Sequence, residues 1–298
     1  METCILKSYW GLMKPKILVA MLLLYLAPLI ANIDLTVSMT SLFYYFLGFV
    51  GVLTSVGGAN ALNCYLDRDV DKIMVRTRRR PIPLGRVKPE HAFYFSLTLL
   101  GFAFSLSVVA GLTLSLIPMF LLLSGVTCYI LLYTILTKRR SITNIFFVSP
   151  ANACPVWLGW FLAFGSINLH GLILGMLAAL WGPLHLWIIA YIYSQDYRKA
   201  KIPMFPVLIE KRKSVLSIFV VSMLLVFASY VPYLLGFNKL IYLFTITGLN
   251  SLMVYLSVRF ILNPTGHNSW RLFKLTAPFI ILVIFVSVID LRFSLFFV

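Results

Sequence analysis

The chain has 298 residues, of which 61% are hydrophobic and 11% charged, with a mean hydropathy of +0.95. That is too apolar for one water-soluble core, and its long apolar runs read as membrane-spanning helices. The formal net charge of +16 could suggest nucleic acid, but the basic residues lie in short loops between apolar runs, with no autonomous domain to dock on a duplex.

The N-terminal stretch METCILKSYWGLMKPK has no small-residue cleavage site behind a short apolar core, so no signal peptide is expected and Met1 should belong to the mature chain. Crossing a hydrocarbon core of roughly 30 Å takes about 20 apolar residues. Nine stretches qualify, near 16 to 33, 41 to 66, 92 to 111, 114 to 136, 144 to 165, 169 to 193, 215 to 236, 240 to 261 and 273 to 295. Backbone groups find no water in lipid, so helices are the expected spanning form. The expectation is an all-α membrane protein, one domain over residues 1–298, with no hydrophilic linker and no repeat array.

Placing the N-terminus in the cytoplasm puts 23 of the 25 Lys and Arg residues on that side, leaving only Lys239 and Arg292 opposite. The outer connections at 34 to 40, 112 to 113 and 166 to 168 are short and nearly uncharged. The chemistry should therefore face the cytoplasm, with the C-terminus on the opposite side of the cell membrane. Cys4, Cys64, Cys128 and Cys154 are scattered with no CxxC pair, and read as free thiols.

Charge concentrates where the second span ends, in NCYLDRDVDKIMVRTRRRPIPLG, Asn63 to Gly85. Asn63, Asp67 and Asp71 are spaced four and four, so they line one helix face, while Asp69 points elsewhere. Carboxylates at the end of a membrane helix are costly unless they meet cations or water, which makes them functional by default. Hard oxygen donors of this kind suit Mg²⁺, which keeps waters and is completed by substrate phosphate. Arg76, Arg78, Arg79 and Arg80 follow at once, and guanidinium forks match phosphate oxygens. For Arg78 and Arg79 the competing reading is simple positive-inside topology. Span six ends in a similar way, YIYSQDYRKAKIPMFPVLIEKRK, an internal echo four spans later that would bring two charged helix ends together across a cavity.

These residues carry a resemblance. N-xxx-D-xxx-D closing an early membrane helix is similar to the first metal-diphosphate motif of the UbiA superfamily of intramembrane prenyltransferases. GLMKPKI (Gly11 to Ile17), YTILTKRRS (Tyr133 to Ser141) and LWGPLHLWIIAYIYSQDYRKAKIPMFPV (Leu180 to Val207) most resemble its haem-farnesylating branch. The resemblance implies a nine-helix bundle around a cavity open to the cytoplasmic side. It also implies transfer of a prenyl group, farnesyl in this branch, from its diphosphate to the vinyl group of haem b. On that pattern Asn63, Asp67, Asp71 and Asp196 would hold Mg²⁺, Arg76, Arg80, Lys138, Arg139 and Tyr197 would bind the diphosphate, and His185 would meet the haem acceptor. Where many members carry a second acid four residues after Asp196, this chain has Ala200, and Glu210 lies beyond Pro203 and Pro206.

Tyr65, Trp160 and Tyr193 are candidates to wall in a carbocation. Pro183 should disturb the sixth span, and His91, His170 and His267 carry no motif. His185 could equally be a helix-core histidine satisfied by a neighbouring hydroxyl. Three rival functions remain: prenylation of a quinone precursor or glycerol phosphate lipid, an ion-coupled transporter with a broken helix, and a non-catalytic haem-handling factor.

Overall fold

The computed structural model describes residues 2–31 and 37–296, with side chains over 5–31 and 37–293. Met1, the Cys4 thiol and the first part of the outer connection at 34 to 40 lie outside the described residues. In chain order the helices are α1 (Glu2–Leu12), α2 (Pro15–Ile30), α3 (Met39–Leu66), α4 (Arg68–Ile73), α5 (Pro89–Thr113) and α6 (Leu116–Val126), the last continuing as a π-helix over Thr127–Thr137. There follow α7 (Asn144–Phe164), α8 (Leu169–Ile192), α9 (Ser194–Lys199), α10 (Phe205–Leu208), α11 (Lys211–Ser229), α12 (Val231–Leu234), α13 (Leu240–Leu262) and α14 (Gly266–Phe296).

Among the described residues eight segments are long and apolar enough to span a membrane, and α1 with α2, bent by 56° at Met13 and Lys14, makes a ninth if the pair is one span. The protein is thus an integral, multi-pass membrane protein. Local chemistry sets the helix ends. Ser38 accepts from the Ser41 N–H at 3.0 Å and Asn168 from the Gly171 N–H at 3.0 Å, while Pro15 and Pro89 open α2 and α5. Gly165 closes α7 at φ 73°.

In lipid, helices associate through close packing across small residues. A Cβ at Gly159 of α7 would stand 2.1 Å from the Tyr25 carbonyl oxygen of α2, and one at Gly175 of α8 would stand 1.9 Å from Trp157 Nε1 of α7. These two contacts seat α2 and α8 directly against α7.

The two ends of the bundle differ. At one end Asn238, Ser287, Asp290 and His170 form a closed network: His170 Nε2 lies 2.9 Å from Ser287 Oγ, which donates to Asn238 Oδ1 at 2.8 Å. Asp290 Oδ1 accepts from the Tyr242 N–H at 3.2 Å at the start of α13, and His170 stacks on Phe237. The opposite end carries α4, α9, α10 and the basic loops, joined by Asn144, whose amide donates to the carbonyls of Lys138 and Pro203.

Two expectations are corrected, and one is met. Pro183 does not break α8, which runs through it unbroken from Leu169 to Ile192, as proline can within a packed membrane helix. The break falls at Tyr193 (φ −104°, ψ 31°), before the short α9. The last span begins at Gly266 rather than near 273, because Arg271 and Lys274 ride in its first turns. Cys64, Cys128 and Cys154 are free thiols.

Candidate active site

α3 ends at Asp67, whose φ of −94° and ψ of 9° leave the helical region, and α4 starts one residue on. Hydrogen bonds nevertheless bridge the break, from Asp67 N to Asn63 O at 2.9 Å and from Asp71 N to Asp67 O at 2.8 Å. Asn63, Asp67 and Asp71 are all buried, at 3%, 1% and 2% exposure. Burying carboxylates so deeply demands partners, and each has a different cation. Asp67 Oδ2 accepts from the Lys138 ammonium and from Asn63 Nδ2, the latter at 2.8 Å. Both Asp71 oxygens accept from Arg80, at 2.9 and 2.7 Å.

The echo seen in the sequence is real in the structure. α8, its break at Tyr193 and the six-residue α9 repeat the pattern of α3, Asp67 and the six-residue α4. The two tips meet. Asp196 Oδ2, 5% exposed, accepts from the Arg76 N–H at 3.0 Å, and the Arg76 guanidinium donates to Tyr197 OH at 3.3 Å.

Above these tips lies a cavity of about 570 Å³ bounded by α2, α3, α6, the π-helix, α7, α8 and α14. Its charged end carries Lys14, Asn63, Asp71, Arg76, Arg80 and Lys138. From there it follows α3 back to Val52, a run of about 16 Å at helical rise, between apolar walls that include Leu121, Cys154 and Leu158. A charged mouth on an apolar tunnel suits an amphiphile with an anionic head and a hydrocarbon tail.

Of the residues singled out from sequence, Asn63, Asp71, Arg76, Arg80, Lys138, Tyr197 and His185 border this cavity. Asp67 and Asp196 do not; they sit behind it and hold the residues that do. Arg139 also lies outside it, its guanidinium closing on Asp69 as a fork with two contacts of 2.7 Å. Those hydrogen bonds hold the Asp69 carboxyl down at about 2. Arg78 and Arg79 are exposed, as positive-inside residues would be, and Glu210 is exposed beside Lys213. Asp196 is thus the only buried carboxylate of the second cluster.

The aromatic walls differ from expectation. Tyr65 packs tilted against Phe93, Trp160 is fully buried against His170, and Tyr193 meets Trp270 edge to face; none borders the cavity. Tyr129, Tyr133, Trp181 and Phe273 do. Tyr129 and Tyr133 stack at 6.2 Å, four residues apart in the π-helix, a form often found at functional sites. The i, i+4 spacing was the sequence signal for that pair. Lys14, at the bend before α2, also borders the cavity, as do Lys16, Asn60, Asn152 and Lys274, none of them marked by the spacing of the acids.

His185 faces the cavity from α8, with Nδ1 2.7 Å from Thr276 Oγ1 of α14. Thr276 donates its one hydroxyl proton to the Phe273 carbonyl at 2.8 Å. Its oxygen can therefore only accept from His185, so Nδ1 carries the imidazole proton and Nε2 keeps a bare lone pair. The neighbouring-hydroxyl reading and the ligand reading are compatible: the hydroxyl sets the tautomer that frees the other nitrogen.

The donor set offers a divalent ion an incomplete cage. Among the described residues no three His, Cys, Asp or Glu side chains group closely enough to cage a metal alone. One acceptor is unused, however: Asp67 Oδ1 is buried without a hydrogen-bond partner, with Arg139 at 3.6 Å. Carboxylate and amide oxygens that only partly surround an ion fit Mg²⁺, which takes its remaining ligands from water and phosphate.

The model of the UbiA prenyltransferase family matches residues 16–286. A protoheme IX farnesyltransferase 1 from Picrophilus torridus is 39% identical over 232 residues, 78% of this chain and 77% of that one. The protoheme IX farnesyltransferase of Caldivirga maquilingensis is 31% identical, over 96% of this chain and 99% of its own length. Among solved structures, digeranylgeranylglyceryl phosphate synthase superposes with a TM-score of 0.72 at 20% identity, covering 98% of this chain and 99% of that one. A UbiA homologue from Archaeoglobus fulgidus bound to GPP and Mg²⁺ gives 0.62 at 14% identity, covering 94% and 99%. At such identities these two share the fold. With eight or nine apolar spans among the described residues, two charged helix tips joined at the mouth of one apolar tunnel, and a family match over most of its length, the chain belongs to the UbiA prenyltransferase family and is an intramembrane prenyltransferase.

Proposed function

We propose that the protein transfers a farnesyl group from its diphosphate to a vinyl group of haem b at the cytoplasmic face of the cell membrane. The acceptor reading rests on one observation: the free Nε2 of His185 shares a cavity with the diphosphate-type cations. A neutral imidazole with its lone pair exposed is a ligand for haem iron. Relatives at 31–39% identity carry the matching name. Orientation rests on the basic loops, which gather at the same end of the bundle as the site.

Asp71, which borders the cavity, and Asp67, whose Oδ1 is unpaired, would hold Mg²⁺, which when bound neutralises charge on the diphosphate as it leaves, while Asp196 positions Arg76 and Asn63 Oδ1 positions Lys14. This chain's residues do the rest. Arg76 brings an unpaired, buried Nε to the cavity, and Arg80 and Lys138 add two more cations. They favour the departing diphosphate over the intact ester, since charge on it grows as the allylic C–O bond breaks. The stacked faces of Tyr129 and Tyr133 lie where the positive allylic carbon would form, and the apolar tunnel keeps water from it. The allylic carbon bonds the terminal vinyl carbon, the electron deficiency passes to the carbon beside the ring, and water adds there with loss of a proton. The product side chain is hydroxyethylfarnesyl, with diphosphate released.

His185→Ala is expected to weaken haem b binding about tenfold or more while leaving prenyl diphosphate binding unchanged. Spectral titration with haem checks this; an unaltered haem spectrum and affinity would remove His185 from the acceptor site.

A further inference from the structure

Lys14 stands between Met13 and Pro15 with φ 53° and ψ 70°, the left-handed region that a lysine avoids. Such a conformation persists only when its surroundings enforce it, and here they can be named. Asn60, 1% exposed, donates from Nδ2 to the Met13 carbonyl at 3.0 Å, and Pro15 fixes the backbone on the other side. The result is a 56° bend that carries the Lys14 side chain to the charged mouth of the cavity. There its ammonium donates to Asn63 Oδ1 at 2.6 Å and to Tyr129 OH at 3.0 Å, and Tyr129 donates to Asn60 Oδ1 at 3.1 Å.

Two consequences follow. By taking Asn63 Oδ1, the ammonium orients the amide so that Nδ2 faces Asp67 Oδ2 and Thr134 Oγ1, at 2.8 and 3.1 Å. And an ammonium has three protons, of which two are used; the third belongs to a head group that borders the cavity beside Arg80 and Lys138.

We propose that Lys14 is a further substrate-binding residue, a cation held at a strained bend to grip the prenyl diphosphate from beside Asn63 and Tyr129. This rests on the diphosphate chemistry proposed above. The bend then exists for the ligand rather than for the fold.

The test uses the full protein in detergent and titrates farnesyl thiodiphosphate with Mg²⁺ by calorimetry, with haem b titration and thermal unfolding alongside. Lys14→Gly suits the backbone angle and removes the cation, whereas Lys14→Met keeps the side-chain length without charge. Lys14→Gly is expected to keep or raise the thermal midpoint and leave haem affinity unchanged, while thiodiphosphate binding weakens about 10- to 100-fold. Lys14→Met should weaken binding similarly, and Lys14→Arg should recover part of it. Wild-type affinity in both neutral variants would overturn the inference and leave the prenyltransfer reading standing. Loss of folding in both neutral variants would overturn it in favour of a structural lysine, and failure of the unaltered protein to bind thiodiphosphate would overturn both.

Discussion

Asp71→Asn is expected to lower prenyl transfer by about 10²- to 10³-fold while the protein still inserts and folds. Asp71 is the acid of the stripe that borders the cavity, and both its oxygens hold Arg80. Asparagine keeps the volume and one acceptor oxygen, so Arg80 retains a hydrogen bond and the stability cost should be about 1 to 3 kcal/mol. The charge is what disappears, and with it an oxygen suited to a divalent ion and the fixed aim of the guanidinium at the diphosphate. Turnover at varied Mg²⁺, with circular dichroism as the control for folding, checks this. Near-normal turnover would show that Asp71 merely neutralises Arg80.

Asp196→Ala should act differently, because Asp196 sits behind the cavity and joins the two helix tips through the Arg76 N–H. Without that acceptor the loop after α4 loses its tie to α9, and Arg76 no longer holds its position beside Tyr197. Misplacing a binding group costs affinity for the group it serves, so KM for the prenyl diphosphate should rise about 10- to 100-fold. Asp196→Asn still offers an oxygen to the Arg76 N–H, and should recover most of KM while leaving turnover depressed through the missing charge. If Asn and Ala behave alike in KM, charge rather than the tie between tips is what matters.

Much of this architecture was legible because a membrane imposes strong patterns. Apolar length located the spans, though it started the last one seven residues late, and the four-residue spacing of Asn63, Asp67 and Asp71 survived the break at Asp67, since the hydrogen bonds run across it. What stayed hidden depended on backbone detail that hydropathy does not encode. TCYILLYTILT reads as ordinary helix, yet it winds as a π-helix that turns Tyr129 and Tyr133 to the cavity. The Lys-Pro pair at the start of the first span did carry a signal, because a residue before proline is biased away from helix. Its meaning emerged only with Asn60 and Asn63 in place around it. Arg139 shows the converse: a family-like Lys-Arg pair whose first member borders the cavity and whose second turns to the surface carboxylate of Asp69.

The most direct test is mass spectrometry of the products formed when the purified protein is incubated with Mg²⁺, haem b and a ladder of prenyl diphosphates. The account predicts a haem derivative carrying one farnesyl group and one hydroxyl, formed in preference to shorter and longer prenyl adducts and absent with Asp71→Asn. Unmodified haem, with the prenyl group found on a different acceptor or still on its diphosphate, would contradict it.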